Sequence, residues 1–203
     1  MQDKYYSDRR DLVKWSVLLL LARKYELDRI MQVAYYRHSH FGKIEIDGHR
    51  QEMPPEILPF FRNFGNIVGL SRRPSISILA DVFDDRQRYL KSVINFVDKF
   101  AAKRCAVFLD PDTGLEPAGG PDLSHVSNGE ARKIWEAIPK GWLYVLYQHQ
   151  TNRRGRPWIE EKKCQVADAI YMDSKQIGIG RAEEIANDVV LFYALKPCKA
   201  RSD

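Results

Sequence analysis

Two strand-like runs separated by an amphipathic helix constrain the fold of this chain more than any other feature. Ser75 to Val82 reads as a strand, Asp85 to Phe100 carries Leu90, Val93, Ile94, Val97 and Phe100 at helical spacing, and Cys105 to Leu109 is a short unbroken apolar run. A strand that is apolar on both faces belongs in a parallel sheet covered by helices. Strand, helix, strand therefore predicts a crossover unit. The pattern repeats after a loop rich in Gly and Pro from Thr113 to Asp122, with a helix at Asn128 to Ala137 and a strand at Trp142 to Tyr147. Such alternation predicts an α/β protein with a mostly parallel sheet and helices on both faces.

The flanking segments extend this pattern. From Ser7 to Tyr25 the chain reads as a helix, with Ser7 or Asp8 as its cap and basic residues in its last turn. Met31 to Tyr36 is rich in strand formers and gives way to the polar loop Arg37-His38-Ser39-His40-Phe41-Gly42. A helix is expected from Pro54 or Pro55 to Phe64, stopped by Gly65, and another from Trp158 to Ile170. The tail offers strands at Gln176 to Arg181 and Val189 to Leu195, close enough to form an antiparallel hairpin at the sheet edge.

Length and composition set outer bounds. The 203 residues suffice for one well-cored domain, and 44% hydrophobic with 29% charged residues is ordinary for a globular protein. The longest apolar run, Val17 to Ala22, falls far short of the roughly 20 residues that cross a bilayer. A cytoplasmic protein without a membrane partner is expected. Cys105, Cys164 and Cys198 are odd in number and widely spaced, which points to neither a disulfide framework nor a zinc site; Cys105 is expected in the core. A net charge of +5, with arginines clustered at Arg9-Arg10, Arg72-Arg73 and Arg153-Arg154-Gly155-Arg156, suits RNA or DNA as a partner.

Chemistry is expected where the apolar strand ends in Asp110-Pro111-Asp112-Thr113-Gly114. Ligands of open parallel sheets bind beyond the carboxyl ends of the strands. Pro111 lacks an N–H and keeps Asp110 extended, while Asp112 and Gly114 favour a turn, so the Asp110 carboxylate is expected to face the crevice. A second strand end, Tyr147-Gln148-His149, is expected to bring His149 toward Asp110 as an acid–base or orienting group. Asp81 ends a third strand, where an acid often holds a cofactor hydroxyl, although Asp84 and Asp85 equally suit a helix cap. His38 and His40 lie in the loop after the first strand as further ligand contacts, in a segment without a Gly-x-Gly fingerprint.

Over almost its whole length the chain resembles a family of uncharacterised bacterial proteins of about this size, through Asp3-Lys4-Tyr5 with Asp8, Asp11 and Lys14, through Asp47-Gly48, through Phe108 to Gly114, and through Tyr147-Gln148-His149. More distantly it is similar to the bacterial ribosomal RNA adenine-N6 methyltransferases of the large subunit. The matching segments are Asp11-Leu12-Val13-Lys14 at the first helix, Asp81 before the long helix, and Val107-Phe108-Leu109-Asp110-Pro111, which looks like their strand running into Asp-Pro-Pro-Tyr. That resemblance implies a Rossmann-like, methyltransferase-type three-layer sandwich that uses S-adenosylmethionine. It implies Asp110 as the acceptor that orients a substrate amine, Asp81 as a cofactor contact, and Lys14 near the cofactor or substrate mouth. Asp112 stands in place of the second proline, and Thr113 in place of the aromatic that stacks on the base.

Two other readings follow from the same residues. Asp110 and Asp112, with Glu116 or Asp81, are oxygen donors suited to Mg²⁺ in a phosphoryl-transfer enzyme or nuclease. Alternatively, a non-catalytic descendant binds nucleic acid or a protein partner through the basic loop at Arg153 to Arg156; Arg153, Arg154 and Tyr147 are the expected substrate contacts.

Overall fold

The computed structural model describes residues 8–38, 43–54, 57, 63–150 and 157–198. Helix α1 spans Arg9–Lys24, and Asp8 caps it by accepting from the Arg10 and Asp11 amides. Strand β1 follows at Arg29–Val33, then a small exposed hairpin of β2 (Ile44–Ile46) and β3 (His49–Gln51). Asp47 and Gly48 turn that hairpin at φ 52° and 78°, the left-handed pair of a two-residue loop. A 3-10 helix at Phe64–Leu70 precedes β4 (Ser75–Leu79), and α2 (Arg86–Asp98) leads to β5 (Cys105–Leu109). Two short strands, β6 (Gly114–Leu115) and β7 (His125–Val126), bracket the loop before α3 (Asn128–Ala137). The chain continues through β8 (Leu143–His149), α4 (Ile159–Ala169), β9 (Gly178–Ala182) and β10 (Ala186–Leu195).

Six strands form one sheet in the order β4-β1-β5-β8-β10-β9. The first four run parallel, β10 pairs antiparallel with both β8 and β9, and the α/β class expected from the pattern is thereby observed. The C-terminal pair is antiparallel as expected, with the last strand inserted between its partner and the parallel strands. Alternate residues of each central strand feed opposite faces. Cys105, Val107 and Leu109 pack with α2, α3 and α4, while Ala106 and Phe108 pack with α1. All of β5 is buried, as its unbroken apolar sequence requires. Burying a side chain such as Phe108 contributes about 2–3 kcal/mol.

Some boundaries differ from the sequence pattern, each for a local reason. Met31 to Tyr36 does not continue as a strand past Val33, because Tyr35 turns the backbone to φ 46°; Tyr36 makes one isolated parallel bridge to Val82. Strand β4 correspondingly ends at Leu79, so Asp81 lies beyond it. Gly65 does not stop a helix, since the 3-10 turns run through it, and most of the helix expected from Pro54 lies outside the described residues. Helix α3 has the expected bounds. Ser127 accepts from the Glu130 amide while the Glu130 carboxylate accepts from the Ser127 amide, a capping box that fixes its start. Cys105 is fully buried, and burial pushes its thiol up to about 12, as suits an inert core cysteine. Among the described residues no helix is long and apolar enough to cross a membrane.

Candidate functional site

The sheet reverses its winding between β1 and β5, since the chain leaves β1 for β4 on one side and leaves β5 for β8 on the other. Ligands of open α/β sheets favour the crevice at this point. Its lip is formed by the segments after Val33 and after Leu109.

Asp110 begins the second segment, but its carboxylate does not face the crevice. By strand alternation it shares the face of Ala106 and Phe108, under α1, and the residue is 1% exposed. Lys14 Nζ lies 2.9 Å from Asp110 Oδ1 and 3.1 Å from Asp11 Oδ1, and Gln32 Nε2 donates to Asp110 Oδ2 at 2.8 Å. The Lys14 ammonium also sits 4.2 Å from the centre of the Tyr147 ring. Burial works to lower the Lys14 pKa, but Asp110, Asp11 and the Tyr147 hydroxyl outweigh it and raise the group above the ordinary lysine value. Burial, with Asp110 assisting, raises Tyr147 above the phenol range. The result is a buried, charged constellation with α1 as its roof. Gln32 is its unanticipated member, and a glutamine in the middle of the buried strand Arg29–Val33 was the available signal. Its Oε1 atom is buried with no hydrogen-bond partner among the described residues.

His149 is not brought to Asp110. The β5 and β8 register sets Leu109 opposite Leu146, which places Tyr147 beside Asp110 and moves His149 two residues further along. There His149 Nε2 lies 3.3 Å from Asp188 Oδ2, which also accepts from Arg10 Nε at 3.1 Å and Nη2 at 2.6 Å. Partial burial acts to raise the Asp188 carboxyl, and the Arg10 and His149 contacts more than offset this and lower it. The cluster joins α1 to β8 and β10.

Neither family models, nor curated proteins, nor solved structures match this chain. The site therefore rests on its own geometry.

Asp112 lies across the crevice, ion-paired with Arg37 from the segment after β1. His38 Nδ1 lies 3.1 Å from the Tyr36 hydroxyl. Tyr35 is buried against Phe83 and Tyr89, with ring centroids 5.0 Å away in each case, and Tyr89 Oη accepts from its amide. Asp81 stands apart, lining a depression of about 270 Å³ with Val82, Arg88, Tyr89 and Ser92. His40, Arg153 and Arg154 lie outside the described residues.

The turn after Asp112 is held by Gln148, which is fully buried. Its Oε1 accepts from the Leu115 amide at 2.9 Å, and its Nε2 donates to the Thr113 and His149 carbonyls. Gly114 sits at φ 128° directly against this side chain, where a Cβ would come within 2.2 Å of Gln148 Oε1. Lys162 Nζ supports the same loop through the Glu116 carbonyl at 3.2 Å, and burial lowers its pKa. Thr113 and Gly114 thus serve the loop's backbone geometry.

The oxygen donors considered for magnesium are engaged with cations. Asp110 is paired with Lys14 and Asp112 with Arg37, and among the described residues no three His, Cys, Asp or Glu side chains converge to hold a metal.

Proposed function

We propose that this chain is a methyltransferase-like protein directed at nucleic acid, in which Asp110 is the buried counter-ion that docks α1 onto the sheet. The observation that carries this reading is the Lys14–Asp110 contact. The two segments that resemble the adenine-N6 methyltransferases, Asp11 to Lys14 and Val107 to Pro111, are distant in the chain and meet at 2.9 Å. A parallel sheet closed by an antiparallel C-terminal pair supports a methyltransferase-type sandwich. The net charge of +5 supports a polyanionic partner.

This reading does not call on S-adenosylmethionine, and two observations support that. The segment from Ala34 to His38 contains no glycine for a close approach of backbone to ligand, and the Arg37–Asp112 ion pair spans the crevice. Asp110, which the resemblance implies as the amine acceptor, has one carboxylate oxygen against Lys14 and the other on Gln32. One observation favours a second reading, active transfer from the cofactor: the exposed Asp81 at its depression beyond β4 suits a nucleoside hydroxyl.

Titration calorimetry with S-adenosylmethionine and its demethylated product at millimolar concentration separates the two. The proposal expects no binding heat and no incorporation of labelled methyl groups into RNA or DNA. Saturable binding together with methyl transfer would replace it by the catalytic reading.

A further inference from the structure

The edge of the sheet opposite the crevice carries a dense basic surface. Strands β4, β1 and β5 begin in register, with Ser75 and Cys105 flanking Arg29, so the segments leading into them emerge side by side. Those segments are Arg72-Arg73-Pro74, Asp28-Arg29 and Lys103-Arg104. Helix α1 ends at the same edge with Arg23 and Lys24, and α2 with Lys99 just past its last turn. Five arginines and three lysines thus face three acids, Glu26, Asp28 and Asp98.

The acids do little to neutralise them. Asp28 is committed to the backbone: its carboxylate accepts from the Arg104 amide at 2.9 Å, its carbonyl accepts from the Ser75 amide at 3.0 Å, and its amide donates to the Arg104 carbonyl at 2.8 Å. These bonds join the three strand entries to one another. Glu26 reaches Arg104 at 3.8 Å from a largely exposed position, a loose pair in water. Arg23, Arg72, Arg73 and Lys103 are exposed, and the structure gives their side chains no acidic partner among the described residues. Aromatic rings lie between the cations. Arg29 stacks over Phe100 at 4.3 Å and donates to Ser77, Lys99 lies 5.8 Å from the same ring, and Lys24 lies 5.4 Å from the Tyr25 ring.

We infer that this edge is a binding surface for the phosphodiester backbone of nucleic acid, separate from the Asp110 site. Arginine predominates, and its planar fork matches phosphate oxygens with two parallel hydrogen bonds. From β4 to β5 the basic entries span roughly 10 Å, the rise of about three nucleotides along one strand. Half-buried rings beside cations suit stacked bases at such a surface. The inference rests on the nucleic-acid part of the function proposed above and assigns it a place: the polymer is held at the amino ends of β4, β1 and β5, the end of the sheet opposite the crevice.

The test uses the full chain, labelled single-stranded RNA and the corresponding duplex, and anisotropy titrations across a salt series. Arg72→Glu, Arg73→Glu and Lys103→Glu are combined in one variant. A control reverses Lys133, Lys175 and Arg181, three exposed cations on other parts of the surface, giving the same change in net charge. The basic-edge variant is expected to lose at least about tenfold in affinity and to flatten the salt slope by about three, while the control stays within about threefold of the parent. Unchanged thermal melts show that both variants fold. Equal losses in both variants would overturn the assigned surface yet leave nucleic-acid binding standing. A parent chain that binds neither RNA form, or that binds phosphatidylserine vesicles in their place, would overturn both.

Discussion

Lys14 Nζ lies 2.9 Å from Asp110 Oδ1, with both side chains at least nine-tenths buried. This contact ties the first helix to the end of the central strand. Two buried carboxylates, Asp11 and Asp110, share one cation, so removing that cation takes away the charge that balances Asp110 in a low-dielectric site. Lys14→Met is expected to cost roughly 3–5 kcal/mol in urea unfolding. Adding Asp110→Asn should recover part of that loss, and simple additivity of the two losses would show that the residues are not coupled. The raised Lys14 pKa gives the pair a defined pH range. Its contribution is complete below the ordinary lysine value and is lost only as pH rises through the higher folded value, so it should be constant between about pH 6 and 9.

Gly114→Ala forces a Cβ into the Gln148 amide at a positive φ that alanine disfavours. The expected loss is roughly 2 kcal/mol or more, because the Leu115 amide also forfeits its buried acceptor. Hydrogen exchange reads this directly. The Leu115 amide should exchange much faster in the variant, whereas unchanged protection would show that Gln148 accommodates the methyl group.

Acid should loosen the loop before β7. Hydrogen bonds from the Ser124 side chain and amide, joined by His125, lower the Asp122 carboxyl from its usual 3.8 to about 2. A carboxyl with a depressed folded pKa stabilises above its unfolded pKa and loses that contribution as pH falls through the folded value, here between about pH 4 and pH 2. Asp122 is largely exposed, so the effect is small and screened by salt. Comparing the parent with Asp122→Asn across this range should give a shallower decline for the variant; identical curves would refute the assignment.

Tyr144 carries a fully buried hydroxyl with no hydrogen-bond partner among the described residues, and burial raises its pKa beyond the usual phenol range. Its ring packs edge-on to Trp135 at 6.0 Å. Tyr144→Phe keeps that packing and removes an unsatisfied polar atom, so stability should rise by about 1 kcal/mol. A drop in melting temperature would mean that the hydroxyl has a partner in solution.

What the amino-acid order determined by itself was the local structure. Cys105–Leu109 is a strand and Asn128–Ala137 a helix with the bounds read from apolar runs and capping residues, because those signals lie within a few neighbours. The strand end at Asp110 was legible for the same reason. Only the tertiary structure decided what Asp110 touches. One residue of strand phase turns its carboxylate under α1 instead of into the crevice, and its partners Lys14 and Gln32 lie far earlier in the chain. Register likewise placed Tyr147 where His149 was expected. Which face a side chain occupies follows from pairing between distant segments, and that pairing is set by burial of the whole sheet between its two helical layers.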